Sequence, residues 1–347
     1  MIWLSWRQFR PQALVAGCVL AGLAILLAST GFSLAHLYHD SGLPACPNTR
    51  ACEHALFVFT NELRGSIYEF VFYLCIVLIY LAPALIGAFW GAPLVAREHE
   101  TGTLRLAWSQ SVSRSRWLLV KVAMLGLTAM AVTGLLSLML YLWSQPAYKA
   151  AKYASAHGPS GLSIARLSPL LFGTNGIAPI GYAAFAFAVG LAVGVLIKRT
   201  LPAMAVTLAV LALVLVAWPA LVRPHLIPPV HSTVTLRGPN ISGLGISGSQ
   251  KMTVFVGADK PGAWVISDQA VNAAGQKYAG RPPKACLSES FNGCTAAILA
   301  LHLKQAISYE PASRYWALQG SETGAYLLFA VALAGACTLR IRRRRLA

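Results

Sequence analysis

The chain has 347 residues, 56% of them hydrophobic and only 11% charged, with a net charge of +17. Soluble domains carry about 25% charged residues, so a surface solvated on all sides is excluded. The chain reads as an all-α polytopic membrane protein with six transmembrane helices. Its positive charge sits at the ends of apolar segments, which argues against nucleic acid as a partner and for membrane lipid.

Residues 1–12 alternate Ile2, Trp3, Trp6 and Phe9 with Arg7, Gln8 and Arg10 at helical spacing. This predicts a short amphipathic helix lying in the cytoplasmic interface and broken at Pro11. The first span follows at 13–38. Leu14 to Cys18 has the look of a lipoprotein cleavage box, but the apolar run continues well past Cys18, whereas the apolar region of a signal peptide precedes its cleavage site. The run is read as an uncleaved span.

Further spans are expected at 68–96, 118–143, 174–197, 202–222 and 323–339, each near or above the ~20 apolar residues that cross a bilayer. Pro83, Gly87, Gly91 and Pro93 interrupt the second and predict a kink. Gly181, Gly190 and Gly194 give the fourth a small-residue face for close helix contact. Pro202 opens the fifth, where its missing N–H costs nothing. The spans group with the loop 97–117 into one region, 13–222, followed by a 223–322 module and a last region, 323–347, of span six and a basic tail.

No span has an acidic, basic or histidine residue in its central turns. Ion-coupled transporters need such groups within the membrane. No GxxxxGK[ST], HExxH or GxSxG pattern occurs, so nothing assembles a nucleophile, a base and an orienter. A chain of this kind either works passively or takes its energy from a partner.

Charge orients the spans. With the N-terminus inside, the cytoplasmic segments hold Arg7, Arg10, Arg97, Arg105, Arg114, Arg116, Lys121, Lys198, Arg199, Arg340 and Arg342 to Arg345, opposed only by Glu98 and Glu100. This is the positive-inside bias, and it puts both termini in the cytoplasm. Cysteines follow the same division. Cys18, Cys75 and Cys337 fall in spans, while Cys46 and Cys52, and Cys286 and Cys294, form close pairs in outer loops. Paired cysteines belong on the oxidising side, so two local disulfides are expected. Neither pair has zinc-site spacing or histidine partners, and no metal site is expected.

The module at 223–322 is rich in Gly, Pro, Ser and Thr, and it is expected to be a small α+β unit outside the membrane. Strand-like pieces stand at Ser232–Arg237, Lys251–Val256 and Ala263–Ser267, with an amphipathic helix at Thr295–Ser308. Gly243, Gly245 and Gly248 spell a literal GxGxxG. A dinucleotide site needs that pattern to close a strand and open a helix; here a second strand follows, which makes it a glycine-rich hairpin.

The 97–117 loop has a composition of its own. Gly102 permits a turn, and Thr103 caps a short helix in which Leu104, Leu106 and Trp108 are flanked by Glu98, Glu100 and Arg105. Such a segment is either a solvated charged loop or a docking surface for a soluble partner.

At this point the chain resembles the permease subunits of type-2 ATP-binding-cassette (ABC) exporters, especially those of high-GC Gram-positive bacteria. The resemblance rests on Glu98, Glu100, Gly102 and Thr103 followed by Arg114, Arg116, Trp117 and Lys121; on the six-span layout with its largest loop between spans five and six; and on the segment from Tyr309 through Pro311, Arg314, Trp316 and Gln319 to Glu322. It implies a dimer of permeases in a bacterial plasma membrane, the second copy being the same or a similar chain. It also implies a separate cytoplasmic ATPase that binds ATP and magnesium, with the loop as its contact. This chain itself would hold no cofactor and perform no catalysis, and it would move an amphipathic or lipophilic substrate outward. Two other readings stay open: a transporter that works without ATP, and a membrane anchor presenting the outer module as a sensor or interaction domain.

Overall fold

The structure is a computed structural model, and it describes residues 2–45, 49–100, 114–157, 166–238, 241–246, 252–257, 262–278, 280–286 and 291–343. The chain divides into two compact units, one formed by residues 1–226 with 316–347 and the other by Ile227–Tyr315.

The first unit is helical. Among the described residues, six helices are long and apolar enough to cross a membrane: Phe9–Asp40, Ile67–Glu100, Leu118–Trp143, Ala178–Ile197, Thr200–Leu221 and Ala312–Ile341. They are called spans one to six below. The expected break at Pro11 does not occur, because one helix runs from Ile2 to Asp40 with Pro11 inside it. Proline already has a helical φ, and a single proline removes only one hydrogen bond from a long helix. Membrane helices tolerate this where neighbouring groups satisfy the freed carbonyl.

Span four is the hub. Its buried positions include Gly181, Gly190 and Gly194, and it packs against spans two, three and five. Span two is interrupted where the sequence predicts. An α-helix over Ile67–Ile86 passes into a π-helical turn at Gly87–Gly91 and resumes at Pro93–Glu100. The Ala92 amide reaches back five residues to the Gly87 carbonyl at 2.9 Å. A side-chain carbon at Gly190 would fall on the Gly87 backbone, and one at Gly194 on the Ala92 carbonyl. The two helices therefore touch backbone to backbone, which is what small residues allow in a membrane.

Two further helices, Thr49–Leu63 and Gln145–His157, lie in segments expected to be loops. Cys52, Ala55, Leu56 and Phe59 are buried on the first at i, i+3, i+4 and i+7, a helical stripe readable in the sequence. Ala55, Leu56 and Phe59 join Leu34, Leu43, Val71, Leu140 and Trp143 in one apolar cluster.

The second unit holds two antiparallel sheets. One has the order β1 (Val230–Thr235), β5 (Lys304–Glu310), β4 (Trp264–Val271), and the other pairs β2 (Ile241–Ile246) with β3 (Met252–Val256). Gly243 and Gly245 sit within β2 and pair with Phe255 and Thr253, so they do not open a helix. The expected helix at Thr295–Ser308 is corrected. The helix covers Phe291–Leu299, and the residues from Lys304 onward form the central strand. His302, at φ 49°, turns the chain in the left-handed region. β5 then finds hydrogen-bonding partners on both sides, in β1 and β4, and this tertiary pairing overrides a helical apolar pattern. Cys286 and Cys294 form a disulfide. Cys52 is also disulfide-bonded, while its expected partner Cys46 lies outside the described residues.

Candidate functional site

Three features of the helical unit carry its chemistry. The first is the end of the bundle next to residue 100. Of the residues expected to contact a partner, Gly102, Thr103, Leu104, Arg105, Leu106 and Trp108 lie outside the described residues; Glu98 and Glu100 are described. Lys121, at the start of span three, donates to Glu98 Oε1 at 2.5 Å. The Thr200 backbone N–H donates to Glu100 Oε1 at 3.0 Å, and the Thr200 hydroxyl donates to Glu100 Oε2. Arg199 is the N-cap of span five and gives it no side-chain bond, so Glu100 acts as the cap from another helix. A carboxylate suits the positive end of a helix dipole. Both glutamates thus bridge helices: the half-buried Glu98 fastens the end of span two to span three, and the exposed Glu100 fastens it to span five.

The second feature is a polar cluster at the far end of the bundle. Arg223, just after span five, donates Nε to Glu322 Oε2 at 2.8 Å and Nη2 to Glu322 Oε1 at 2.9 Å. The Tyr182 hydroxyl, from span four, donates to the same carboxylate at 2.5 Å. Arg223 Nη1 donates to the Pro169 carbonyl at 3.2 Å, and the guanidinium lies over the Phe172 ring at 4.5 Å. Burial alone would lower the Arg223 pKa, but hydrogen bonding to Glu322 and the charge of Glu322 outweigh it and raise it above the ordinary value.

One turn earlier on the same helix stands Gln319, fully buried. Its Oε1 accepts the Ile177 and Ala178 backbone N–H groups at 3.1 and 2.8 Å, and its Nε2 donates to the Phe172 and Asn175 carbonyls at 2.8 and 2.9 Å. Four bonds from one side chain cap the start of span four and fix the segment before it. Nearby, Asn175 Nδ2 donates to the Tyr148 hydroxyl at 3.0 Å. Arg166 lies over the Tyr148 ring at 4.4 Å. Burial pushes the Tyr148 phenol up to about 12, despite the opposing charge of Arg166.

The sequence reading missed Arg223 and Tyr182, and it quoted Gln319 and Glu322 only as a family signature. A signal was present: a glutamine and a glutamate three apart at the start of a span share one helix face. Among only 11 acidic residues in the chain, a glutamate there asks for a cation.

The third feature is a cavity of about 820 Å³ between spans one, two, three and five. Its walls are apolar along most of their length, with Gln12, Arg97, Glu100 and Thr200 at one end.

No curated protein and no solved structure matches the chain. One family model does match, over residues 17–223, more than half of the chain and all of the first five spans but the start of the first helix. With its six membrane-length helices, this multi-pass membrane protein belongs to the family described as ABC-2 membrane transporter related.

Proposed function

We propose that the chain is the membrane-spanning permease subunit of an ABC exporter, moving an amphipathic or lipophilic substrate outward with ATP hydrolysed by a separate cytoplasmic ATPase. One observation beyond family membership carries this reading. Glu98 and Glu100 anchor the segment that leads into residues 101–113 to two different spans. A force applied to that loop by a soluble partner would therefore reach spans three and five directly, as a coupling element requires.

In this reading the loop faces the cytoplasm with both termini, and the 227–315 unit lies outside with its disulfide. A second permease copy completes the transporter, in the plasma membrane of a bacterium. ATP and magnesium belong to the ATPase. Leu104, Leu106 and Trp108 are the apolar contacts, and Glu98, Glu100 and Arg105 orient the loop, with Gly102 and Thr103 shaping it.

Aromatic and aliphatic anchors dominate such interfaces, and truncating one commonly costs about 2 kcal/mol, roughly thirtyfold in affinity. Leu104→Ala and Trp108→Ala are expected to release the ATPase during co-purification or to uncouple its hydrolysis from transport. Arg342→Ala with Arg343→Ala, on the same side of the membrane, should do neither. If both loop variants keep the ATPase bound and coupled, the loop is not the contact.

A further inference from the structure

The cavity between spans one, two, three and five has a polarity gradient. From Leu78 to Arg97 it follows span two for 19 residues, about 28 Å at 1.5 Å per residue. Its volume, about 820 Å³, falls within the ~300–1,000 Å³ of ligand-sized sites. Wall residues are open to the surroundings: Val15 is 66% exposed, Phe89 50% and Leu85 42%. In a membrane protein, apolar surface at this depth meets acyl chains rather than water.

The polar end is cationic. Arg97 lines it, and Arg7 and Arg10 are exposed within about one turn of Pro11, another lining residue. Glu100 lines this end as well, and both its oxygens accept from Thr200 at the start of span five. Basic pockets between membrane helices suit anionic headgroups.

We propose that this groove binds an anionic glycerophospholipid, with an acyl chain along Val15, Leu81, Leu85 and Phe89 and the phosphate against Arg97. A zwitterionic lipid of equal chain length would fill the same apolar walls and gain less at the cationic end, where each basic residue near a membrane surface favours an anion by roughly fivefold. The headgroup would sit four residues before residue 101, beside the cap that ties span two to span five.

The test is native mass spectrometry of the full-length chain in detergent, titrated with phosphatidylglycerol and with phosphatidylcholine of identical acyl chains. The unsubstituted chain should retain phosphatidylglycerol preferentially. Arg97→Gln should reduce that preference roughly fivefold while leaving phosphatidylcholine retention in place. Leu85→Trp, which fills the groove, should lower retention of both lipids. Arg199→Gln, an exposed charge near the same end that does not line the groove, should change neither. A preference unaltered by Arg97→Gln, or retention unaltered by Leu85→Trp, overturns the proposal. So does disulfide cross-linking between two copies through Val15→Cys in a Cys18→Ala background, because a second chain would then occupy the groove. None of these measurements involves the ATPase, so their failure is separable from failure of the permease reading.

Discussion

Arg223 and Glu322 are 99 residues apart in sequence and meet in a two-point ion pair, with side chains 2% and 0% exposed. Removing one partner of a buried pair leaves an uncompensated charge and costs about 3–5 kcal/mol, whereas replacing both with apolar residues of similar volume is often neutral. Arg223→Met and Glu322→Leu alone should each lower the thermal midpoint of the detergent-solubilised chain sharply, and the double variant should recover most of the loss. Three additive curves, with the double variant worst, would show that the pair is not the source of the cost.

Gln319→Leu should destabilise the helical unit by more than the loss of a single hydrogen bond. It leaves two backbone N–H groups and two carbonyls without their side-chain partner, and each buried polar group so stranded costs about 1–3 kcal/mol. Hydrogen exchange at Ile177 and Ala178 checks the local part of the claim. Exchange there should accelerate, while the amides of β5 stay as slow as before.

Gly190→Ala should be poorly tolerated, because the new carbon meets the Gly87 backbone rather than a movable side chain. Overpacking of this kind costs about 1–3 kcal/mol or more. Gly17→Ala, also in a long helix but with nothing within 4 Å, should be neutral or slightly stabilising through helix propensity. Comparing the folded yield of the two variants by size-exclusion chromatography separates contact from propensity.

The bridge between Cys286 and Cys294 closes a short loop, with a sequence separation of 8, and should contribute about 2–3 kcal/mol by loop closure. Peptide mapping without reductant should recover the two cysteines as a linked pair. Cys75 and Cys337, both buried, should react with maleimide only after denaturation. Alkylation of Cys286 without reductant would contradict the bridge.

Much of the helical unit was legible because apolar length is a signal that needs no partner. Pro83, Gly87 and Gly91 announced the interruption of span two, and Gly190 and Gly194 announced a close approach, since only a missing side chain admits another backbone. Features decided by contacts elsewhere were hidden. The strand at Lys304–Glu310 looks helical until β1 and β4 are placed on its two sides. The Thr49–Leu63 helix carried its stripe openly, yet its charged flanks made it look like a loop. Arg223 could not be matched to Glu322 by spacing, because the distance between them in sequence is set by an inserted unit, not by a helical or strand period.

That inserted unit begins at Ile227, four residues after Arg223, and ends at Tyr315, seven residues before Glu322. The ion pair thus stands at the stem of the insertion, with one partner on each leg and both partners belonging to the bundle. The family match stops at residue 223 as well. A stem clasped this way makes the unit exchangeable: the bundle keeps its own closure whether the intervening chain is long, short or of another fold. Replacing 227–315 with a ten-residue Gly/Ser linker, whose ends average about 17 Å apart, should leave six membrane helices that still insert and still hold Arg223 against Glu322. Different inserted units could then be carried on one membrane scaffold without altering a residue inside the bilayer.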